Sequence, residues 1–223
     1  MTKGQLKRAR APEHKTERRA VILRAAEALL RRDPSATFAV EEIARRAGLA
    51  KGTVYLYFGS REEMLIAVHD AQMDELFNTL ARAIARPKVG ADTVARAVLD
   101  FLRRRPEFFR LSTSCHGAPE DSVSADVARC HRDLVATRLA EIGRRIEDLH
   151  PGMRPGEGAT LLKNSYALML GLWQLAASPL RVTGAAPGEQ EPEALRINFE
   201  SQLGVALKDL WNAAVRRGEG RSA

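Results

Sequence analysis

Residues 40–60 read VEEIARRAGLAKGTVYLYFGS, and this stretch decides the fold. In its first part, Val40, Ile43 and Ala44 share one face of a short amphipathic helix. Gly48 ends this helix because glycine adopts a positive φ without steric cost. A second short helix follows and ends near Gly59. Two short helices joined by a tight glycine turn are typical of a helix-turn-helix.

The spacing of three small or apolar residues supports this interpretation. Ala44 is small where the two helices must approach closely, Gly48 lies at the turn, and Val54 faces inward from the second helix. The alternative is a helical hairpin with a purely structural role. The next segment begins with SREE, a capping box in which Ser60 and Glu63 satisfy each other's backbone donors.

The second helix has an unusual composition. It carries Gly52 and three aromatic residues within four positions, in a chain with only 5% aromatic residues. If this helix lies in a major groove, Lys51 reaches a phosphate or a guanine edge and Gly52 lets the backbone approach DNA. Tyr55 then faces a base, Tyr57 offers its hydroxyl to a phosphate, and Phe58 packs inward. Alternatively, either tyrosine lies at an amphipathic rim without contacting DNA.

The positive charge is concentrated near the N-terminus. The net charge is +7, and residues 1–65 hold 14 Lys and Arg against 8 Asp and Glu. Such a basic region indicates a polyanionic partner, either nucleic acid or an anionic membrane surface. A solvated basic tail is the alternative.

The remaining composition indicates a cytoplasmic protein. The 223 residues contain no apolar run of about 18 residues and no secretory signal at the start, so we expect neither membrane spanning nor export. Two cysteines, Cys115 and Cys130, form no disulfide framework, which fits a reducing compartment.

Hydrophobic periodicity predicts an all-α chain without strands. Residues 1–15 are predicted to be a flexible basic arm, and residues 114–122 are predicted to be a loop. The other predicted helices cover residues 17–32, 61–84, 94–105, 107–112, 125–149, 157–177 and 193–216.

The stretch at residues 38–63, FAVEEIARRAGLAKGTVYLYFGSREE, resembles the N-terminal domain of the tetracycline-repressor (TetR) family of bacterial transcriptional regulators. The resemblance is specific over about residues 16–66. It implies an N-terminal three-helix DNA-binding domain at residues 16–62 and a C-terminal helical ligand-binding and dimerisation domain at residues 63–223. Ala39 and Ala50 depart from the Thr or Ser caps common in the family, and Tyr57 replaces a common His, which puts the operator sequence in doubt.

The resemblance also implies contacts and a mechanism. Family members touch operator bases or phosphates at the positions of Lys51, Gly52, Thr53, Tyr55, Tyr57 and Arg61, with Arg61 as a phosphate clamp. The expected function is a repressor that binds a palindromic operator as a homodimer and is released by a small-molecule inducer. The dimer would form through the last two helices, whose apolar stripes could instead be buried within one chain. These stripes comprise Leu161, Leu162, Leu168, Met169, Leu172 and Trp173 on one helix and residues 195–211 on the other.

The candidates for the inducer pocket are six aromatic residues and one methionine, each of which could equally belong to the ordinary hydrophobic core. They are Phe77, Phe101, Phe108, Phe109, Tyr166, Met169 and Trp173.

Two Cys-His dipeptides, Cys115-His116 and Cys130-His131, are weak candidates for a zinc site or a redox pair. Adjacent residues on a helix point about 100° apart, so Cys130 and His131 cannot easily share one ion. We therefore expect no metal and no cofactor. Without a nucleophile elbow or a fixed third partner, we also expect no enzymatic activity.

Two further hypotheses remain open. The chain could be a DNA-binding regulator without a small-molecule ligand, responding to oxidation, a metal or a protein partner. It could also be an enzyme or a helical protein of the membrane surface, which would bind duplex DNA without regard to sequence.

Overall fold

Helices are the only regular secondary structure among the described residues, and no strand occurs there, as predicted. The structure is a computed structural model that describes residues 3–32, 39–85, 90–117, 119–177, 193 and 196–222. The α-helices in chain order are α1 (Lys3–Arg32), α2 (Val40–Arg46), α3 (Lys51–Tyr55), α4 (Arg61–Ile84), α5 (Ala91–Arg104), α6 (Phe108–His116), α7 (Ala125–Leu149), α8 (Glu157–Ala177) and α9 (Phe199–Ser222). A single turn of 3₁₀ helix at Glu120–Ser122 precedes α7.

The N-terminal segment differs from the expectation. We predicted a flexible arm up to Lys15, but α1 already begins at Lys3. Residues 3–15 contain three Lys, two Arg and two Ala, which favour a helix, and also Pro12, which disfavours one. The segment has no apolar periodicity in its sequence, and that periodicity is the signal from which the other helices were predicted.

Other boundaries also move, among them the start of α5, at Ala91 rather than residue 94, and the end of α9, at Ser222 rather than residue 216. Helix α3 ends at Tyr55 rather than near Gly59, and α6 continues through His116 into the predicted loop. Helix α9 begins at Phe199 rather than at residue 193. Its start is set by Asn198, whose Oδ1 accepts a hydrogen bond from the Ser201 backbone N–H at 3.1 Å. Such an Asx N-cap satisfies one of the orphan donors at a helix start.

The chain divides into two compact units. The first comprises Met1–Met73 and Arg105–Arg132, and the second comprises Asp74–Arg104 and Asp133–Ala223. Helices α4 and α7 therefore each contribute residues to both units. The predicted domain boundary between residues 62 and 63 lies inside the first of these units and remains a prediction.

The core of the first unit joins the helix-turn-helix to α1, α4 and α6. Its members are apolar side chains that are at most 9% exposed. They are Ile22, Ala26, Leu29, Leu30, Val40, Ile43, Ala44, Val54, Phe58, Met64, Leu65, Ala67, Val68 and Leu111. Removing such surface from water is the main stabilising term for a small helical unit.

Within the second unit, α7 and α8 cross at two glycines. A Cβ atom added to Gly158 would lie 2.2 Å from the carbonyl oxygen of Gly143, so the backbones meet with no room for a side chain. Glu147 caps the start of α8, because its Oε1 accepts hydrogen bonds from the backbone N–H groups of Gly156 and Gly158, both at 2.9 Å. A carboxylate at a helix N-terminus is also favoured by the helix dipole.

Helices α8 and α9 are joined by a buried polar link. The indole Nε1–H of Trp211 donates to the Ser165 hydroxyl at 3.0 Å, and that hydroxyl donates to the Leu161 carbonyl at 2.8 Å. Leu161, Leu162, Met169, Leu203, Leu207 and Trp211 are all buried within one chain. Part of each predicted dimer stripe is therefore intramolecular core.

None of the described helices is both long enough and apolar enough to cross a membrane.

Candidate DNA-binding site

Helices α2 and α3 form the predicted helix-turn-helix. The turn between them contains Gly48 at φ 67°, which is the left-handed conformation that the sequence pattern predicted. The Leu49 backbone N–H donates to the Ala44 carbonyl at 2.9 Å and closes the end of α2. Ala44 and Val54 are 2% and 1% exposed, so both occupy the inner face as their spacing predicted.

The outer face of α3 is open to solvent. Lys51, Gly52 and Tyr55 are exposed, and Thr53 is half-buried. The most exposed large apolar side chain among the described residues is Leu56, at 78%, directly after α3. Sequence reasoning missed Leu56, although it lies two positions after the buried Val54 and hence about 200° around the helix. An apolar side chain at this place is suited to contact with an apolar group of a partner, such as a thymine methyl.

Gly52 has no structural role inside the chain. A Cβ atom at this position would meet nothing within 4 Å, and its φ is not positive. Alanine would therefore fit and would favour the helix by about 1 kcal/mol. The glycine leaves the backbone of α3 accessible from outside, as expected for a helix that approaches a partner closely.

The two aromatic residues after α3 pack against the first unit. Phe58 is 3% exposed, and the guanidinium of Arg19 on α1 lies 4.9 Å from its ring centroid. Tyr57 is half-buried and packs at the edge of the same core. The inward position of Phe58 is as predicted, whereas the contact between the Tyr57 hydroxyl and a phosphate remains a prediction.

Lys51 is paired within the motif. Its Nζ forms an ion pair with Oε1 of Glu41 on α2, and both side chains are more than half exposed. The hydrogen bond from Lys51 lowers the pKa of the Glu41 carboxyl, and the same hydrogen bond raises the pKa of Lys51. A phosphate that binds Lys51 must therefore compete with Glu41.

The start of α4 is capped, but not by the full reciprocal capping box that we predicted. The Ser60 hydroxyl accepts from the Glu63 backbone N–H at 3.0 Å, as expected. The Glu63 carboxylate, however, accepts from the backbone N–H groups of Gly59 at 2.9 Å and Ser124 at 3.0 Å. Burial acts to raise the pKa of Glu63, but the hydrogen bonds from Ser124 and Gly59 outweigh it and lower this pKa. The carboxylate thus stays charged and ties α4 to the start of α7.

The caps of α2 and α3 are absent, as the sequence indicated. Neither Ala39 nor Ala50 makes a side-chain capping bond. Arg61, the predicted phosphate clamp, is half-buried and its Nη1 lies 3.0 Å from Oε1 of Glu62.

The predicted pocket residues are divided between the two units. Phe108 and Phe109 lie in the first unit, with ring centroids 5.3 Å apart in an edge-to-face arrangement. The other five lie in the second unit, where Phe77, Phe101 and Met169 are buried and Tyr166 and Trp173 are half-buried. The clefts found along α9 are lined by other residues. An inducer pocket built from these residues remains a prediction.

The first unit also buries polar groups that sequence reasoning did not find. Gln72 Nε2 donates to Glu107 Oε1 at 2.8 Å, and both side chains are at most 1% exposed. His69 is 2% exposed, and its Nε2 lies 3.0 Å from the Ser112 hydroxyl. Burial, followed by the nearby charges of His131 and His116, lowers the pKa of His69 to about 3. His69 is therefore a neutral imidazole at physiological pH.

The Cys-His dipeptides do not form one site among the described residues. Both cysteines are free, and Cys130 is exposed. Burial, together with the charge of Asp70, raises the pKa of Cys115 to about 12, so its thiol is protonated and poorly reactive. His131 instead joins His69 and Asp70, whose ligand atoms all lie within 4.8 Å of one another.

Family comparisons match both parts of the chain. Residues 22–68 match the family model described as bacterial regulatory proteins of the tetR family, and residues 68–214 match the tetracyclin repressor-like C-terminal domain. The chain belongs to the TetR family. It is therefore a DNA-binding transcription regulator, and the fold class inferred from residues 38–63 is confirmed.

Relatives agree with this assignment. An uncharacterized HTH-type transcriptional regulator, YfiR of Bacillus subtilis (strain 168), is 33% identical over 79 residues, which are 35% of this chain and only 38% of that relative. A TetR-family regulator from Streptomyces coelicolor has a similar fold, with a TM-score of 0.55 at 20% identity, covering 92% of this chain and 90% of that one. A TetR-family regulator from Marinobacter aquaeolei VT8 gives 0.52 at 18% identity, covering 91% and 97%.

Proposed function

We propose that this TetR-family regulator is a homodimeric repressor that binds a palindromic operator and is released by a small-molecule inducer. The observation that carries the DNA-binding part is the open outer face of α3, where Gly52 exposes backbone and Tyr55 is 41% exposed. A glycine with no internal role in so short a helix has its best explanation in an external partner.

The proposed operator contacts follow from the exposed face and the family resemblance. Lys51, Gly52, Thr53 and Tyr55 lie on or beside the open side of α3, while Tyr57 and Arg61 lie at its end and at the start of α4. We assign base contact to Tyr55 and phosphate contact to Lys51, Tyr57 and Arg61, because base edges specify sequence and phosphates position the protein. Leu56 is added to this set, since it is the apolar group nearest the exposed end of α3.

Dimerisation is proposed through the faces of α8 and α9 that the fold leaves uncovered. Leu168 and Leu172 are half-buried and Leu175 is 53% exposed, and these three follow one another at helical spacing along α8. On α9, Leu210 is half-buried. A second copy related by a two-fold axis would cover these leucines with its own equivalent leucines. The two recognition helices related by that axis would then read half-sites in successive major grooves.

Release by an inducer requires different affinities for two conformations. The inducer must bind more tightly to the conformation whose recognition helices are wrongly spaced for the operator. Helix α4 is the proposed connection, because one continuous helix runs from the Ser60 cap beside the motif to Ile84 in the second unit.

Selection from random DNA tests the proposal. The full chain is incubated with a pool of random duplexes at stated salt, and the bound fraction is sequenced. We expect a palindrome whose half-sites are centred about 10 base pairs apart or a multiple of this. Enrichment of a single half-site would contradict the homodimer, and enrichment of no sequence would contradict the operator.

A further inference from the structure

A cluster of three side chains of the kinds that bind metal ions lies in the first unit. His69 and Asp70 are neighbours on α4, and His131 lies on α7. The ligand atoms of all three lie within 4.8 Å of one another. His131 Nδ1 is 2.5 Å from Asp70 Oδ1, and the rings of His69 and His131 are tilted with centroids 5.8 Å apart.

One atom of this cluster lacks a partner. His69 is 2% exposed, its Nε2 is 3.0 Å from the Ser112 hydroxyl, and its Nδ1 is buried with no hydrogen-bond partner among the described residues. A buried polar atom without a partner is destabilising, because it has lost its hydrogen bonds to water. A ligand that accepts the lone pair of this nitrogen would remove that penalty.

We propose that His69, Asp70 and His131 bind a first-row divalent transition metal ion, with Zn²⁺ as the best-suited species. Two imidazoles and one carboxylate form a borderline donor set that suits zinc better than Mg²⁺ or Ca²⁺, which prefer oxygen ligands. Coordination through Nδ1 of His69 gives this nitrogen the partner that it lacks. Three protein ligands leave the fourth position of a tetrahedral ion to water or to another small ligand.

The site needs a local rearrangement. Ligand atoms about 2.0–2.1 Å from a tetrahedral ion are roughly 3.3 Å apart. His131 and Asp70 must therefore separate by about 1 Å, and the ligand atoms that lie furthest apart, within 4.8 Å, must approach by up to about 1.5 Å. If their contact is a hydrogen bond from the Nδ1–H of His131, that proton leaves to solvent on binding. Both side chains are about one-quarter exposed, at 25% for His131 and 26% for Asp70, which gives an ion a route of entry.

The ligands come from two helices, so the bound ion would cross-link α4 to α7 within the first unit. This inference goes beyond the proposed repressor function and does not depend on it.

The test uses the full chain without an affinity tag, freed of metal by a chelator. Zinc is titrated into the protein and binding is followed by calorimetry and by competition with a chromophoric zinc indicator. Co²⁺ is used as a spectroscopic probe, because nitrogen and oxygen ligands in a tetrahedral site give intense visible d–d bands. Thermal unfolding with and without zinc reports the linked stabilisation.

Four variants separate this site from the alternatives. Asp70→Asn and His131→Gln change partly exposed ligands, so they keep the fold. Cys130→Ala and His116→Ala remove two of the three other candidate ligands that the sequence offers. We expect one zinc ion per chain in the wild type. Affinity should fall at least about tenfold in Asp70→Asn and His131→Gln and remain unchanged in Cys130→Ala and His116→Ala.

Three results would overturn the proposal. The first is the absence of stoichiometric zinc binding by the wild type, and the second is binding that survives both Asp70→Asn and His131→Gln. The third is binding that is lost in Cys130→Ala. None of these readouts involves DNA, so failure of the metal site is distinguishable from failure of the proposed repressor function.

Discussion

Nζ of Lys51 on α3 forms an ion pair with Oε1 of Glu41 on α2, so the cation proposed to reach DNA is held by a carboxylate of its own motif. The pair has two consequences for an operator complex. Lys51 must exchange one anionic partner for another, and Glu41 remains close to the phosphates as a like charge. Electrostatic attraction to the DNA backbone is therefore weaker than the local count of basic residues suggests.

Replacing Glu41 by glutamine should strengthen DNA binding. We expect Glu41→Gln to raise operator affinity a few-fold, with the effect decreasing as salt increases, because surface charges are screened. Fluorescence anisotropy titrations at several salt concentrations measure this. Glu200→Gln is the matched control, because Glu200 is also exposed and ion-paired, to Arg103. Equal affinities of wild type and Glu41→Gln at all salt concentrations would contradict the placement of Lys51 at the DNA.

Gly52→Ala should separate folding stability from DNA binding. The new methyl group meets nothing within the chain, so the free energy of unfolding should rise by up to about 1 kcal/mol. Operator affinity should fall, because the methyl group occupies the space through which the backbone approaches DNA. Gly48→Ala is the contrasting variant, since its φ of 67° is strained for alanine and its unfolding free energy should drop. Unchanged operator affinity in Gly52→Ala would contradict a close approach of the α3 backbone to DNA.

Gly158→Ala should destabilise the second unit. Its Cβ would lie 2.2 Å from the Gly143 carbonyl oxygen, so α7 and α8 would have to separate. We expect a loss of about 1–3 kcal/mol in denaturant unfolding, as for other overpacked sites. Gly220→Ala, where a Cβ meets nothing within 4 Å, is the control and should not lose stability. A Gly158→Ala protein as stable as the wild type would show that the crossing tolerates a methyl group.

Leu175→Glu should dissociate the proposed homodimer. The side chain is 53% exposed within one chain, so the change leaves the fold intact but places a charge in the proposed α8 interface. Light scattering coupled to size exclusion should give a dimer mass for the wild type and a monomer mass for the variant. Leu149→Glu makes the same change at a leucine that is 47% exposed at the end of α7, and it should remain dimeric. A monomeric wild type would contradict the interface altogether.

The sequence predicted the motif well because its signals are local. Gly48, Ala44 and Val54 act through backbone conformation and spacing within one helical hairpin, which a pattern of residue types expresses directly. The all-α class followed from hydrophobic periodicity in the same way. The start of α1 was missed because the sequence of residues 3–15 has no apolar periodicity, and periodicity detects only helices that have an apolar face.

The long-range pairs could not be predicted. His131 is separated from Asp70 by 61 positions, and Glu107 is separated from Gln72 by 35. Only the tertiary packing of α4 with α6 and α7 brings these groups together. The sequence suggested Cys130 and His131 as weak candidate ligands because they are adjacent in the chain. On a helix, however, adjacent side chains point in different directions.

We propose that α3 reads DNA sequence through Tyr55. This base contact is tested by comparing the binding of wild type and Tyr55→Ala to the selected duplex and to a scrambled duplex, at one fixed salt concentration. We expect the wild type to prefer the selected duplex by about 10³-fold or more, and Tyr55→Ala to lose most of this preference but keep its affinity for the scrambled duplex. Equal preference in both proteins would contradict base contact by Tyr55. Equal affinity of the wild type for the two duplexes would contradict sequence reading by α3.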